Sequence, residues 1–173
     1  TNLEILQKLA AIQKNLTLLP FTSTAALDGL EKPDLLVDAL FGTGLQSAVR
    51  APYDALIGWM NDLMVPVLSV DMPSGISSDS GSVMGCAVAA AETVTMGALK
   101  PGLLLGEGPD YSGALHVVDI GIPAHVLQRI AVSHGSPRIS NSSYIAARLP
   151  EKNRKDHKYT SGPALIAGGS ASF

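Results

Sequence analysis

The chain has 173 residues, 46% of them apolar and 16% charged, with a formal net charge of −3. That is a globular composition with enough length for a sizeable core, not a disordered one. With 12 lysines and arginines against 15 acidic residues there is no basic stripe to hold a phosphate backbone, which argues against nucleic acid as a partner, and no apolar run approaches a bilayer span.

The single cysteine, Cys86, permits no internal disulfide and fits a cytoplasmic, reducing compartment. Thr1 is not an initiator methionine and Phe173 follows closely on a glycine turn, so the chain reads as a fragment or processed segment.

In chain order, NLEILQKLAAIQK at 2–14 spaces Leu3, Leu6, Leu9, Ala10 and Ile12 as an amphipathic helix. LTLLP at 16–20 reads as a short strand. DLLVDALF at 34–41, bounded by Pro33 and Gly42, reads as a buried parallel strand. Pro52 is placed to open a helix over 53–64. VPVLSVDM at 65–72, ETVTMG at 92–97 and ALHVVDIG at 114–121 are three further strands. Small and polar residues at 134–143 mark a boundary. SYIAARLP at 143–150 suits a short helix, EKNRKDHKYTSG at 151–162 a charged exposed segment, and PALIAGGS at 163–170 a strand meeting a glycine turn. Strands alternating with helices argue for an α/β fold with a mainly parallel sheet. The strand order is not readable from this pattern.

Two strand exits carry the chemistry. Asp38 ends one apolar run and Asp71 another, and open α/β sheets bind ligands beyond the carboxyl ends of their strands. An aspartate in that position also serves as an ordinary turn or helix cap. After Asp38, FGTGLQS brings two glycines whose backbone N–H groups suit close approach to a phosphate. A plain connecting loop is the other reading, because neither a full dinucleotide fingerprint nor a Walker lysine is present. In DMPSG, Pro73 and Gly75 hold Ser74 at a tight turn, where its oxygen with Asp38 could ligate a hard cation. No G-x-S-x-G surrounds Ser74, so it is not a hydrolase nucleophile. Cys86 sits among alanine and valine and reads as core filler. His116, His125 and His134 have no metal-spaced partners. Lys100 suits either a phosphate or, more commonly, plain solvation.

PDLLVDALFGTGL, VPVLSVDMPSGISSDSG, ETVTMGALKPGLLLGEG and GALHVVDIGIP, in that order, resemble the later part of the NAD(P)H-hydrate epimerase domain, the YjeF N-terminal domain, from about Asp34 to Pro123. HKYTSGPALIAGGS at 157–170 is similar to the opening of a ribokinase-like NAD(P)H-hydrate dehydratase domain, a pairing found in the bifunctional bacterial enzyme. The resemblance implies a Rossmann-like three-layer α/β/α sandwich with a mainly parallel sheet. It divides the chain into a partial epimerase domain, 1–137, and a linker with a truncated dehydratase start, 138–173.

The implied activity is interconversion of the R and S epimers of hydrated NADH and NADPH, a step in nicotinamide nucleotide repair. Asp38 and Ser74 would match potassium ligands. Gly42, Thr43, Gly44, Leu45, Gln46, Ser47 and Ala48 would match the backbone cradle for the substrate. Asp71 would match the carboxylate that contacts the substrate at its reacting carbon and acts as general acid/base. ADP or ATP would belong only to the dehydratase portion. Homo-oligomerisation is left open. Family members also carry an Asn-Asn-Gly-Gly-Asp loop, absent from this sequence, which by order would lie before Thr1; the isolated chain is expected to show little activity. The alternatives are a non-catalytic nucleotide-binding module and a companion domain to an ADP- or ATP-dependent dehydratase.

Overall fold

A computed structural model describes residues 1–133, 135–137 and 139–149. The chain forms two compact units, Thr1–Arg129 and Ile130–Phe173. The expectations for 151–162 and 163–170, and for His134, lie outside the described residues.

The first unit runs α1 (Asn2–Ile12), a 3₁₀ turn (Thr24–Leu27), β1 (Leu36–Asp38), α2 (Tyr53–Asp62), β2 (Val67–Val70), β3 (Glu92–Met96), a second 3₁₀ turn (Pro101–Leu103), α3 (Gly108–Ser112) and β4 (Ala114–Val118). Helix α4 (Ala124–Ser133) follows, then α5 (Ser142–Ala146). The α/β class holds: the four strands form one sheet in the order β1-β2-β3-β4, and every pairing is parallel.

Paired residues of a parallel sheet share a face. The register therefore places Leu36, Asp38, Val67, Ser69, Thr93, Thr95 and Leu115 on one face. On that face, α2 inserts Ile57 and Met60 against Val67 and Val88, while Met72, Ile76, Ala87 and Leu103 form a second apolar cluster. The opposite face carries Val37, Glu92, Met96, His116 and Val118, all exposed. His116 is not isolated there, because its Nε2 lies 3.0 Å from Glu92 Oε2. Helix α1 forms as its spacing predicts, capped by Thr1 and Glu4, but none of its residues is buried.

Several strands are shorter than their apolar runs. β1 stops at Asp38 because that side chain takes the Leu40 N–H at 3.3 Å, removing it from the ladder. β2 stops at Val70 because Asp71 turns to φ 71°, a left-handed conformation that breaks an extended chain. LTLLP at 16–20 is not a strand. It pairs with nothing in the sheet, and an unpaired segment gains no ladder bonds to offset its ordering.

Residues 71–113 are knitted closely through glycines. At Gly75 φ is 101°, and a Cβ would stand 1.9 Å from the Cys86 carbonyl oxygen. Gly75→Ala is therefore expected to destabilise the fold by at least about 1–3 kcal/mol. Gly58 lies in α2 with nothing within 4 Å of a built Cβ, so Gly58→Ala should stabilise by about 0.5–1 kcal/mol through helix propensity. Urea denaturation of both variants checks the opposite signs.

Candidate active site

The carboxyl ends of β1, β2 and β3 bring together side chains far apart in sequence. Asp38 is 1% exposed. Its Oδ2 accepts from Ser69 Oγ and from Ser74 N, both at 2.8 Å. Its Oδ1 accepts from Ser74 Oγ at 2.6 Å and Leu40 N at 3.3 Å. Ser74 Oγ in turn accepts the Phe41 N–H at 2.9 Å. Asp38 and Ser74 thus meet at one edge of the sheet.

Every one of these donors to Asp38 is neutral. Among the described residues no lysine, arginine or histidine nitrogen lies within 4.0 Å of it. The surrounding oxygens of Asp38, Ser74 and Phe41 are hard donors, and in donor type the group fits a monovalent or other hard cation. No cluster of three or more His, Cys, Asp or Glu exists among the described residues, so a soft transition metal does not suit this edge.

Asp71 occupies the neighbouring exit. Its backbone N–H still donates to Val94 O at 2.8 Å, which fixes the left-handed turn against β3. Its carboxylate is used asymmetrically. Oδ1 accepts from Lys100 Nζ, from Met96 N at 3.1 Å and from Thr95 Oγ1 at 3.3 Å. Oδ2 takes no hydrogen bond from the described residues and faces Gly42, where a built Cβ would stand 3.8 Å away. Burial works against the charge, but the hydrogen bonds from Lys100 and Met96, the Lys100 charge and the Thr95 hydroxyl outweigh it and hold the acid below its ordinary value of 3.8.

The solvated role expected for Lys100 is not what the structure shows. Its side chain is 18% exposed, and besides Asp71 it donates to Thr95 Oγ1 at 2.8 Å and Met96 O at 2.9 Å. All three ammonium protons are thereby committed within the protein, which leaves none for a phosphate. The sequence signal available was its place three residues beyond the run ETVTMG, a third strand exit. That β3 lies beside β2 was not readable.

Residues 42–48 form an exposed loop anchored by the half-buried Leu45. Leu45 N closes a turn on Gly42 O at 3.3 Å. The N–H groups of Gly42, Thr43, Gly44, Gln46, Ser47 and Ala48 have no protein acceptor among the described residues. Neither Gly42 nor Gly44 has a left-handed φ, and a Cβ at Gly44 would meet nothing within 4 Å. The protein's own packing therefore does not require glycine at 44.

Cys86 packs half-buried beside the α2 cluster. Burial, and then the Asp54 charge, push its thiol up from its ordinary value, which suits filler rather than a reactive group. An apolar depression of about 190 Å³ lined by Leu35, Pro66, Val67, Leu68, Ala91 and Glu92 lies at the amino ends of the strands, away from these groups.

Residues 2–102 match the family described as "YjeF-related protein N-terminus", which is more than half of the chain. The chain belongs to this family. Among curated proteins it is 45% identical, over 88% of its own length, to the "Bifunctional NAD(P)H-hydrate repair enzyme Nnr" of Salinibacter ruber, of which it covers 28%. It is 36% identical, over 98% of its length, to the protein of the same name from Moorella thermoacetica, of which it covers 31%. It is 33% identical, over 72% of its length, to the "NAD(P)H-hydrate epimerase" of Legionella pneumophila, of which it covers 46%. The YjeF-related chain thus spans less than half the length of each of these relatives. Among its described residues, no helix is long and apolar enough to cross a membrane.

Two outcomes test this geometry. Asp38→Ala strands buried Ser69 and Ser74 donors and should cost at least about 3 kcal/mol, measured by chemical denaturation. Because the Asp71 acid is depressed in the folded state, its stabilisation is complete above the unfolded value of 3.8 and is lost as pH falls through the folded value. The stability gap between the wild type and Asp71→Asn should be present at neutral pH and shrink below 3.8, as read from melts across that range.

Proposed function

We propose that this chain forms part of an NAD(P)H-hydrate epimerase, which interconverts the R and S forms of hydrated NADH and NADPH in the cytoplasm. The observation that carries the reading is that, of the two Asp71 carboxylate oxygens, Oδ2 takes no hydrogen bond from the described residues and faces Gly42 at the start of the glycine loop, while Oδ1 is held by Lys100, Met96 and Thr95. The relatives named as NAD(P)H-hydrate repair enzymes support the substrate class. A parent protein that also carries the dehydratase is the form these names favour, with ADP or ATP serving only that second activity.

In this reading the loop's unpaired N–H groups receive the dinucleotide's pyrophosphate, since backbone amides in a glycine-rich turn attract anions. The absence of a Cβ at Gly44 leaves room for that approach. The substrate carries a hydroxyl on a ring carbon bonded to the ring nitrogen. Inverting that carbon breaks and remakes the C–O bond, and positive charge develops on the ring between the two events. The hydroxyl leaves as water with a proton drawn from solvent, and water then adds to the opposite face of the ring. Asp71, held ionised, stabilises the intervening charge and accepts the proton that the incoming water releases before passing it back to solvent. An acid kept below its ordinary value is a base at neutral pH, so the general-acid half of the role is not assigned to it in the resting site. Asp38 and Ser74 would hold a potassium ion, which would organise oxygen ligands at this edge.

Asp71→Asn in the full-length protein is the direct test. Asn tolerates a left-handed φ as readily as Asp, so the fold should survive while epimer interconversion falls about 10²–10⁴-fold. Epimer exchange rates and thermal melts are measured together. A variant within a fewfold of wild type would remove Asp71 from the chemistry. Wild-type protein that binds the hydrate without interconverting its epimers would point instead to a non-catalytic binding module.

A further inference from the structure

The geometry points to Lys100 as a positioning residue that fixes Asp71 and presents its Oδ2 to the substrate. This rests on the epimerase reading for its catalytic consequence, but not for the contact itself. Three observations carry it. First, Lys100 Nζ, Met96 N and Thr95 Oγ1 all converge on one oxygen, Oδ1, and none reaches Oδ2. A carboxylate held through one oxygen cannot rotate, so the other keeps a single direction, towards Gly42. Second, Lys100 has no proton left over. Its three donors go to Asp71, Thr95 Oγ1 and Met96 O, so it neither protonates nor grips the substrate and acts only through Asp71. Third, the contact spans two strand exits. Asp71 follows β2 and Lys100 follows β3, 29 residues apart, and Asp71 sits there in a left-handed conformation.

The chemical consequence follows from charge. A carboxylate partly removed from water drifts towards its neutral form unless a cation faces it. Lys100 is the charged group that faces Asp71; the other contacts, Thr95 and the Met96 N–H, are neutral. Removing the ammonium leaves burial in place with much less to oppose it, which moves the Asp71 midpoint up, and it takes the charged donor off Oδ1, so that Oδ2 no longer keeps a single direction towards Gly42. Arginine retains the charge and reach, so it should recover part of the function, though its planar fork matches the three acceptors less well.

The experiment compares Lys100→Met and Lys100→Arg with wild type in the full-length protein. Lys100→Met is expected to lower kcat for epimer interconversion by about 10- to 100-fold with KM little changed, because Lys100 does not touch the substrate. Lys100→Arg should lie between the two. In parallel, the Asp71 carboxyl is titrated by NMR. In Lys100→Met its midpoint should move up, as removal of the cation facing the carboxylate requires, while the kcat loss at unchanged KM and its partial rescue by arginine are what a purely structural lysine would not produce. If Lys100→Met fails to fold, Lys100→Gln takes its place. A Lys100→Met enzyme within twofold of wild type, or an Asp71 titration that does not move, overturns the proposal. A wild-type protein with no interconversion overturns the epimerase reading instead, and the Asp71 titration still decides what Lys100 does.

Discussion

The buried carboxyl of Asp38 ties the site edge together. It ends β1, bonds Ser69 on β2, and holds both the backbone and the hydroxyl of Ser74 in the turn after β2. That turn must double back sharply, and Gly75 at φ 101° lets it do so while Ser74 O accepts from Val88 N at 2.9 Å. A single acid therefore determines where β1 stops, where the Pro-Ser-Gly turn sits, and how the loop at 41–48 leaves the sheet, since Phe41 N is held by Ser74 Oγ. Four neutral hydrogen bonds to a buried acid make a rigid joint.

The second acid obeys the opposite arrangement. Asp71 has a formal counter-ion, Lys100, and retains contact with solvent. Desolvation and ion pairing oppose one another there, and the pairing wins. Two aspartates at adjacent strand ends thus have different electrostatic characters, one buried among neutral donors and one half-open beside an ammonium. The division suits a site in which one group organises structure and the other faces chemistry.

The exposed face of the sheet has a different meaning from the site edge. Val37, Met96 and Val118 stand in solvent alongside Glu92 and His116, and α1 buries none of its leucines. Parallel sheets ordinarily have both faces covered. What the site needs is on the covered face and at the carboxyl ends, where Ser69, Thr93 and Thr95 are fully buried and each finds a hydrogen-bond partner.

Much of this was written locally in the sequence. Apolar runs of four to eight residues locate β1 to β4, and an aspartate followed by glycine or Pro-Ser-Gly marks a strand exit, because both signals depend only on neighbouring residues. Asp38, Asp71 and Ser74 were legible for that reason. The family likeness was legible because its motifs are contiguous and ordered. What only the tertiary structure decided is adjacency. LTLLP at 16–20 has the composition of a strand but no neighbour to pair with, and the three-residue length of β1 depends on Asp38 capturing Leu40 N. Lys100 looked solvated because a lysine beside Pro-Gly usually is. It meets Asp71 only because β3 lies beside β2 in a parallel register, Val70 opposite Val94. A charge pair across 29 residues has no period and no spacing rule, so the chain must fold before it exists.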